Sequence, residues 1–277
     1  MTDAIKNFIK EHDFIYRTML FLHGLLGAMC GIKINFDSLR EFKAKQDGLV
    51  DLGPVNYEFY ANIFPRLLGG QKDLNDVTVL DVGANDGWFA KVVFRFCGPN
   101  TSMISFEPLR SVIKKLDALA TRHPNYRYEN VAVGENNGEM EIIEYGTSGL
   151  SSIKGLDKEY AYSDHYDVTV VNRYPTEIIT IDQYLEKHDI KNDLILKIDT
   201  QGFEYEVLVG AKNALASGQV KVVIIELMTL KKYAQAKLYD ELLDFLHAYD
   251  FKIFDLCKSY YEKDGALSEI DCAFIKR

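Results

Sequence analysis

No dense lysine or arginine tract occurs in this 277-residue chain, and its formal net charge is −9. A nucleic-acid binder needs a basic surface to displace counterions from phosphate, so that class is set aside. Cysteine is sparse: Cys30, Cys97, Cys257 and Cys272 are scattered, with no CxxC pair and no tight Cys/His set. The common structural zinc motifs are thereby excluded, and free thiols in a reducing, cytoplasmic compartment are expected. The leading residues also lack the basic stretch, apolar core and cleavage pattern of a secretory signal. No apolar run reaches the roughly 20 residues that a spanning helix needs. The longest candidate, "TMLFLHGLLGAMCGI" at 18–32, lies between Arg17 and Lys33 and is interrupted by His23, Gly24 and Gly27. It reads as a helix packed on the domain or on a second subunit of a homodimer. A membrane-surface helix formed by residues 1–30 is the less favoured alternative.

What the chain does have is an ordinary globular balance, 47% apolar and 26% charged, with 16 Phe and 17 Tyr that suit an aromatic core. Residues 1–75 read as an N-terminal helical extension or cap, and 76–277 as the main domain. Within the latter, "VTVLDV" (77–82) predicts a buried strand and 88–96 a helix. A second strand is expected at 101–107, a helix at 109–122, a third strand at 126–133 and another at 138–145. A long polar excursion follows over 146–173. A short strand and a helix are expected in 176–190, then a strand at 193–199, a helix over 202–218 and a strand at 220–227. A helix over 233–249 and closing strands beginning at Phe251 and Asp271 complete the pattern. Strands alternating with helices imply an α/β fold, a doubly wound and mostly parallel sheet covered on both faces.

Ligands of such sheets gather beyond the carboxyl ends of the strands, and the expected ends carry Asp81, Glu107, Asp199 and Glu226. The first turn reads "GANDGW" (83–88), without the middle glycine of a dinucleotide fingerprint, and no phosphate-gripping P-loop occurs. S-adenosyl-L-methionine meets the same geometry with different needs: an amino-acid end, a thin sulfonium centre and two ribose hydroxyls. Asp81 can take the amino end, directly or through water. Gly83 can leave room for the ligand, with Asn85 and the amides beyond it around the thin part. Gly87 can bring the next helix close or adopt a special dihedral. Glu107, before the turn residue Pro108, can accept both ribose hydroxyls. A dinucleotide pattern also places an acid there, so Glu107 indicates a nucleoside without identifying it.

Several stretches in order resemble the FkbM family of S-adenosylmethionine-dependent methyltransferases. They are "LDVGANDGWF", "FEP" at 106–108, "NVAVGENNGEMEI" at 130–142, "SGLSSI" at 148–153, "LKIDTQGFEYEVLVGA" at 196–211 and "IIEL" at 224–227. The resemblance implies a seven-stranded, Rossmann-like methyltransferase sheet and S-adenosyl-L-methionine as cofactor. It also implies an adenine pocket around Ala132 and a serine-bearing loop in which Ser152 meets the cofactor. Members methylate hydroxyls of macrolide-type natural products and of sugars, which implies O-methylation of a small-molecule or glycan acceptor. The same scaffold also serves N- or carboxyl-methylation, and a catalytically weak cofactor-binding scaffold protein is the reading from another class.

Methyl transfer to an alcohol requires in-line approach, exclusion of water and a route for the hydroxyl proton. Asp199, at the end of the fourth main strand, is the expected base. Lys197 shares one side of that strand and is expected to pair with Asp199 or an acceptor oxygen. Glu204, after Gly202, either caps the next helix or contacts the acceptor. Gln201, Ser151 and His165 complete the candidates. Asp81, Asp199 and Glu204 come from separate turns, so no metal is expected.

Overall fold

The computed structural model describes residues 59–60, 63–64, 66–67, 76–160, 166–256, 260–262 and 265–277. Most of the expected cap, including the apolar stretch at 18–32, lies outside the described residues, as does His165. Among the described residues no helix is long and apolar enough to cross a membrane.

Strand β1 (Val77–Val82) is buried along nearly its whole length, as suits a β-branched run that is covered on both faces. It pairs in parallel with β2 (Ser102–Phe106) and with β7 (Asp193–Ile198). β3 (Tyr126–Glu129) extends the sheet beyond β2, and β8 (Val220–Met228) extends it beyond β7, both in parallel. The antiparallel β11 (Leu267–Lys276) follows β8. Along the free edge of β11, β9 (Phe251–Leu256) pairs with residues 272–276 and β10 (Tyr260–Tyr261) with residues 267–269. The eight strands therefore occupy seven lanes, the outermost shared by β9 and β10 in succession. This is the mostly parallel, seven-lane arrangement that the alternation and the resemblance imply.

Helix α1 (Trp88–Cys97) buries Phe89, Ala90, Val92, Val93, Phe94 and Cys97, the spacing of one helical face. Buried Tyr60 and Phe64 pack on it: Tyr60 lies edge-on to Trp88 and Phe89, with ring centroids 5.5 and 5.4 Å away. The second connection begins as a short 3-10 turn, Arg110–Val112, and continues as α2 (Ile113–Arg122).

The expected third strand at 126–133 divides. Asn130 leaves the sheet and donates from Nδ2 to the Glu107 carbonyl at 2.7 Å. β4 (Ala132–Val133) then joins a separate sheet, in the order β4-β6-β5, with β5 (Gly138–Tyr145) antiparallel to β6 (Val170–Ile179). The octet YRYENVAV does not show where this change of partner falls. The second sheet's Ile142 and Tyr174 pack with Leu109 and Val112, which fastens it beside the end of β2.

The expected helix over 202–218 is also two pieces, α4 (Glu204–Val209) and α5 (Lys212–Ala216). A Cβ on Gly210 would lie 2.0 Å from the Gly134 carbonyl oxygen, so two backbones meet at the break. Asp182, in α3 (Ile181–Lys187), accepts the Asn213 and Ala214 amides at 2.8 and 3.0 Å and starts the second piece. The last helix, α6 (Tyr239–Ala248), begins later than the expected residue 233. Tyr233 is fully buried in the preceding connection, bridged to Leu156.

Candidate active site

The turn after β1 is built around one carboxylate. Glu107, only 3% exposed, accepts the Asn85 amide on Oε2 at 2.6 Å and the Leu109 amide on Oε1 at 2.8 Å. Burial raises its pKa to about 7, against the pull of those two amides and of Lys197 and with a further push from Asp81. Asn85 adopts φ +45°, and its side chain accepts from the Ser148 hydroxyl at 3.3 Å. Gly83 has φ +81°, and a Cβ there would stand 1.8 Å from the Asp199 carbonyl oxygen. Gly83 does border the cleft, but the space freed by its missing side chain is taken by the neighbouring loop. Gly87, at φ +77°, is similarly required where α1 starts: a Cβ would meet Leu119 of α2 at 2.2 Å. It brings helix to helix rather than helix to sheet.

Behind this turn lies a buried charge system. Asp81 is 0% exposed, accepts from Ser105 at 3.2 Å and has Lys197 Nζ 3.3 Å from Oδ1. The ammonium also donates to the Gly83 carbonyl at 3.2 Å and sits 3.4 Å from Asp199 Oδ2. Burial works against the charged ammonium, but the Asp199 and Asp81 carboxylates outweigh it and leave its pKa raised. Burial raises Asp81, and Lys197 holds that rise in check. The expected pairing of Lys197 with Asp199 is present, with Asp81 as a second partner. Asp81 itself faces this pair and does not line the cleft.

Beyond β7 the chain turns sharply, with Gln201 at φ +55° and Gly202 at φ +94°. Glu204 organises that turn: its Oε1 accepts the Thr200 amide and hydroxyl at 2.9 and 3.1 Å, and the Gly202 amide reaches both carboxylate oxygens at 3.1 and 3.0 Å. Buried there, its pKa is pushed up to about 7. The side chain is spent on the loop that carries Asp199 and is absent from the cleft wall, and the amides it holds lie ahead of α4 rather than in its first turn.

A cleft opens at this end of the sheet. It brings together nine of the expected residues: Gly83, Asn85, Glu107, Pro108, Ala132, Ser151, Ser152, Asp199 and Gln201. Asp81, Gly87, Lys197 and Glu204 support it from behind. Its apolar lining includes Val131, Ile142 and Phe203, of which Phe203 stands out in sequence only as part of the late motif. The loop after β5 is fastened down at Ser152, whose hydroxyl donates to the Gln201 carbonyl at 2.6 Å. Ser151 instead accepts the Tyr145 amide at 3.1 Å. Sequence reasoning missed Asp271, which faces Glu226 across β8 and β11 and is raised to about 7 by burial and by Asp199. Among the described residues no cluster of His, Cys, Asp or Glu could hold a metal ion.

These carboxylates carry a consequence for stability. Glu107, Glu204 and Asp271 hold protons in the folded state up to about pH 7, but release them near 4.5 or 3.8 when unfolded. The folded chain therefore binds more protons between those limits, and stability falls as pH rises through them. Melting of the ligand-free protein should occur several degrees higher at pH 6 than at pH 8. Glu204→Gln should flatten part of that slope, and an unchanged slope would deny Glu204 its share.

The model of the methyltransferase FkbM domain matches residues 81–253. The chain is 27% identical over 196 residues to the hexuronic acid methyltransferase AglP of Haloferax volcanii, which covers 68% of this chain and 74% of the relative. It is 26% identical over 207 residues to the AMB antimetabolite synthetase AmbE of Pseudomonas aeruginosa, covering 64% of this chain but spanning only 10% of that protein. A methyltransferase FkbM structure from Methylobacillus flagellatus aligns with TM-score 0.46 at 14% identity, covering 88% of this chain and 56% of that one. With its family model covering more than half its length, and the glycine turn, two of the strand-end acids (Glu107 and Asp199) and the late motif meeting at one cleft, the chain belongs to the FkbM family of S-adenosylmethionine-dependent methyltransferases.

Proposed function

We propose that this protein O-methylates a hydroxyl of a small polar or saccharide acceptor, with Glu107 holding the donor's ribose and Asp199 receiving the acceptor's proton. The observation that carries this reading is the presence of both carboxylates on one cleft, each already fixed by the chain. S-adenosylmethionine supplies a methyl group activated by the adjacent sulfonium. The residues present suit it. Glu107 is anchored by two amides and retains acceptor capacity on both oxygens. Val131, Ala132 and Ile142 offer an apolar wall suited to a flat base. Asp199 borders the same cleft with its side chain 39% exposed, open enough to meet an incoming hydroxyl. Asn85 and Ser148 close over one side and Ser152 ties the roof to the Gln201 loop, which helps keep water out. Similarity to AglP, named as a hexuronic acid methyltransferase, supports a saccharide acceptor.

The test begins with donor binding. Calorimetry on the folded protein should detect S-adenosylmethionine, and Glu107→Gln should weaken it about tenfold by replacing a charged acceptor. With the wild-type carboxyl near 7, donor affinity should also drop between pH 7.5 and 6 as the acceptor form is lost. The Gln variant should show no such drop. Methyl-labelled donor should then mark methyl α-D-glucopyranoside or methyl α-D-glucuronopyranoside on oxygen. No heat of donor binding would remove the proposal at its base, and label on a nitrogen acceptor would remove its O-methyl part.

A further inference from the structure

The expected base does not stand alone, and the residue beside it has a conformation that requires explanation. Gln201 holds φ +55°, a left-handed backbone that a side-chain-bearing residue adopts at a cost. Three contacts from elsewhere maintain it. Glu204 gathers the amides on either side, at Thr200 and Gly202. Ser152 holds the Gln201 carbonyl, and Gly202 lies so close to Tyr233 that a Cβ would stand 2.6 Å from the tyrosine Cβ. The strained turn delivers one side-chain amide to a particular place.

That amide is fully engaged. Its Nε2 donates to Asp199 Oδ1 at 2.7 Å and to Glu226 Oε2 at 3.2 Å, and its Oε1 accepts from the Tyr233 hydroxyl at 2.6 Å. Both protons and the carbonyl oxygen thus have partners. Turning the amide over would set Oε1 against the Asp199 carboxylate with no proton between them, so the Asp199 bond exists in one orientation only. With Lys197 on Oδ2, both oxygens of Asp199 are held, and rotation of the carboxylate is stopped while each oxygen keeps acceptor capacity.

We propose that Gln201 is a positioning residue that aims the Asp199 carboxylate at the acceptor, and that Tyr233 anchors Gln201 in the orientation this needs. The inference rests on the reading of Asp199 as the proton acceptor and adds the residues that orient it. Buried Tyr233 makes no contact with a reacting atom in this scheme. It acts through the glutamine, and the glutamine acts through the carboxylate.

The experiment has a spectroscopic arm and a kinetic arm. In ¹⁵N-labelled protein, the Gln201 side-chain amide is identified by the signal lost in Gln201→Met. Its two protons, each facing a carboxylate, should be separated, displaced downfield and slow to exchange. In Tyr233→Phe they should move toward the position of a free glutamine amide. In the kinetic arm, labelled methyl transfer to the two methyl glycosides should fall about tenfold in Gln201→Met and about fivefold in Tyr233→Phe, with donor affinity within about twofold. In an Asp199→Asn background, Gln201→Met should cost less than about twofold more, because its effect passes through the missing carboxylate.

Ordinary amide signals in the wild type would overturn the proposal. So would an unslowed Gln201→Met, or an equal loss with and without the Asp199 carboxylate. Full turnover in Asp199→Asn would instead remove the base assignment on which the proposal rests. If neither glycoside accepts label, the saccharide reading fails, and the amide signals alone decide whether Gln201 is held as described.

Discussion

Asp199→Asn should slow methyl transfer by about a hundredfold or more and leave donor affinity within about threefold. The asymmetry follows from where the side chain stands. Asp199 borders the cleft, but its carboxylate is held by Lys197 at 3.4 Å and by Gln201 at 2.7 Å, whereas Glu107 is the acid beside the first turn. An asparagine is nearly the same shape, so the close approach of the Asp199 carbonyl to Gly83 is undisturbed. What changes is that half of the new group is a donor. Whichever way the amide turns, its NH₂ faces either the Lys197 ammonium or the Gln201 NH₂, and the anion able to take a proton is gone. Calorimetry for the donor and initial rates of labelled transfer separate the two effects. A parallel loss of both would make Asp199 a binding residue, and unchanged turnover would leave the reaction without its proposed base.

The fold could be read along the chain wherever a local pattern decided it. The buried run at 77–82, the following helix and the strands at 193–198 and 220–228 stand where periodicity placed them, because each is specified by its own side chains. Failures occur where a distant partner decides. Residues 126–133 look like one strand, yet β4 pairs with Ile178 and Ile179 of a different sheet. Residues 202–218 look like one helix, yet the backbone at Gly134 and the carboxylate of Asp182 divide it.

The site shows the same boundary between local and distant information. Nine expected residues meet at the cleft because strand ends and turn glycines are local signals. The reason for Gly83 was not local: Asp199, far along the chain, occupies the space beside it. Nor was the link between Gln201 and Tyr233, 32 residues apart, which depends on a buried loop tyrosine that resembles a helix-core residue. Asp81 and Glu226 share the strand-end position but have different surroundings. Asp81 is sealed behind the turn with a lysine, and Glu226 faces Asp271 and carries a pKa pushed well up, by burial first and then by the neighbouring carboxylates.

Lys197→Met is expected to destabilise the protein by about 3–5 kcal/mol, the usual cost of leaving a buried charge without its partner. From the sequence alone the same change is expected to harm turnover and spare the fold. The difference is Asp81, which is 0% exposed and has Lys197 as its neutralising cation. Methionine matches the volume of the stem and can still pack against Phe89, whose ring centre lies 5.7 Å from the ammonium, so the loss is electrostatic rather than steric. Asp81 can escape only by binding a proton. Its pKa, already raised by burial, would then rise further, so the variant should regain stability as the pH falls. Adding Asp81→Asn to Lys197→Met should restore most of the stability in urea unfolding, because the remaining amide can keep the Ser105 contact without a charge. The double variant should remain slow in methyl transfer, since Asp199 still lacks the ammonium on Oδ2. Recovery of stability without recovery of rate would separate the two tasks of Lys197. A single variant as stable as the wild type would show that Asp81 does not need the cation.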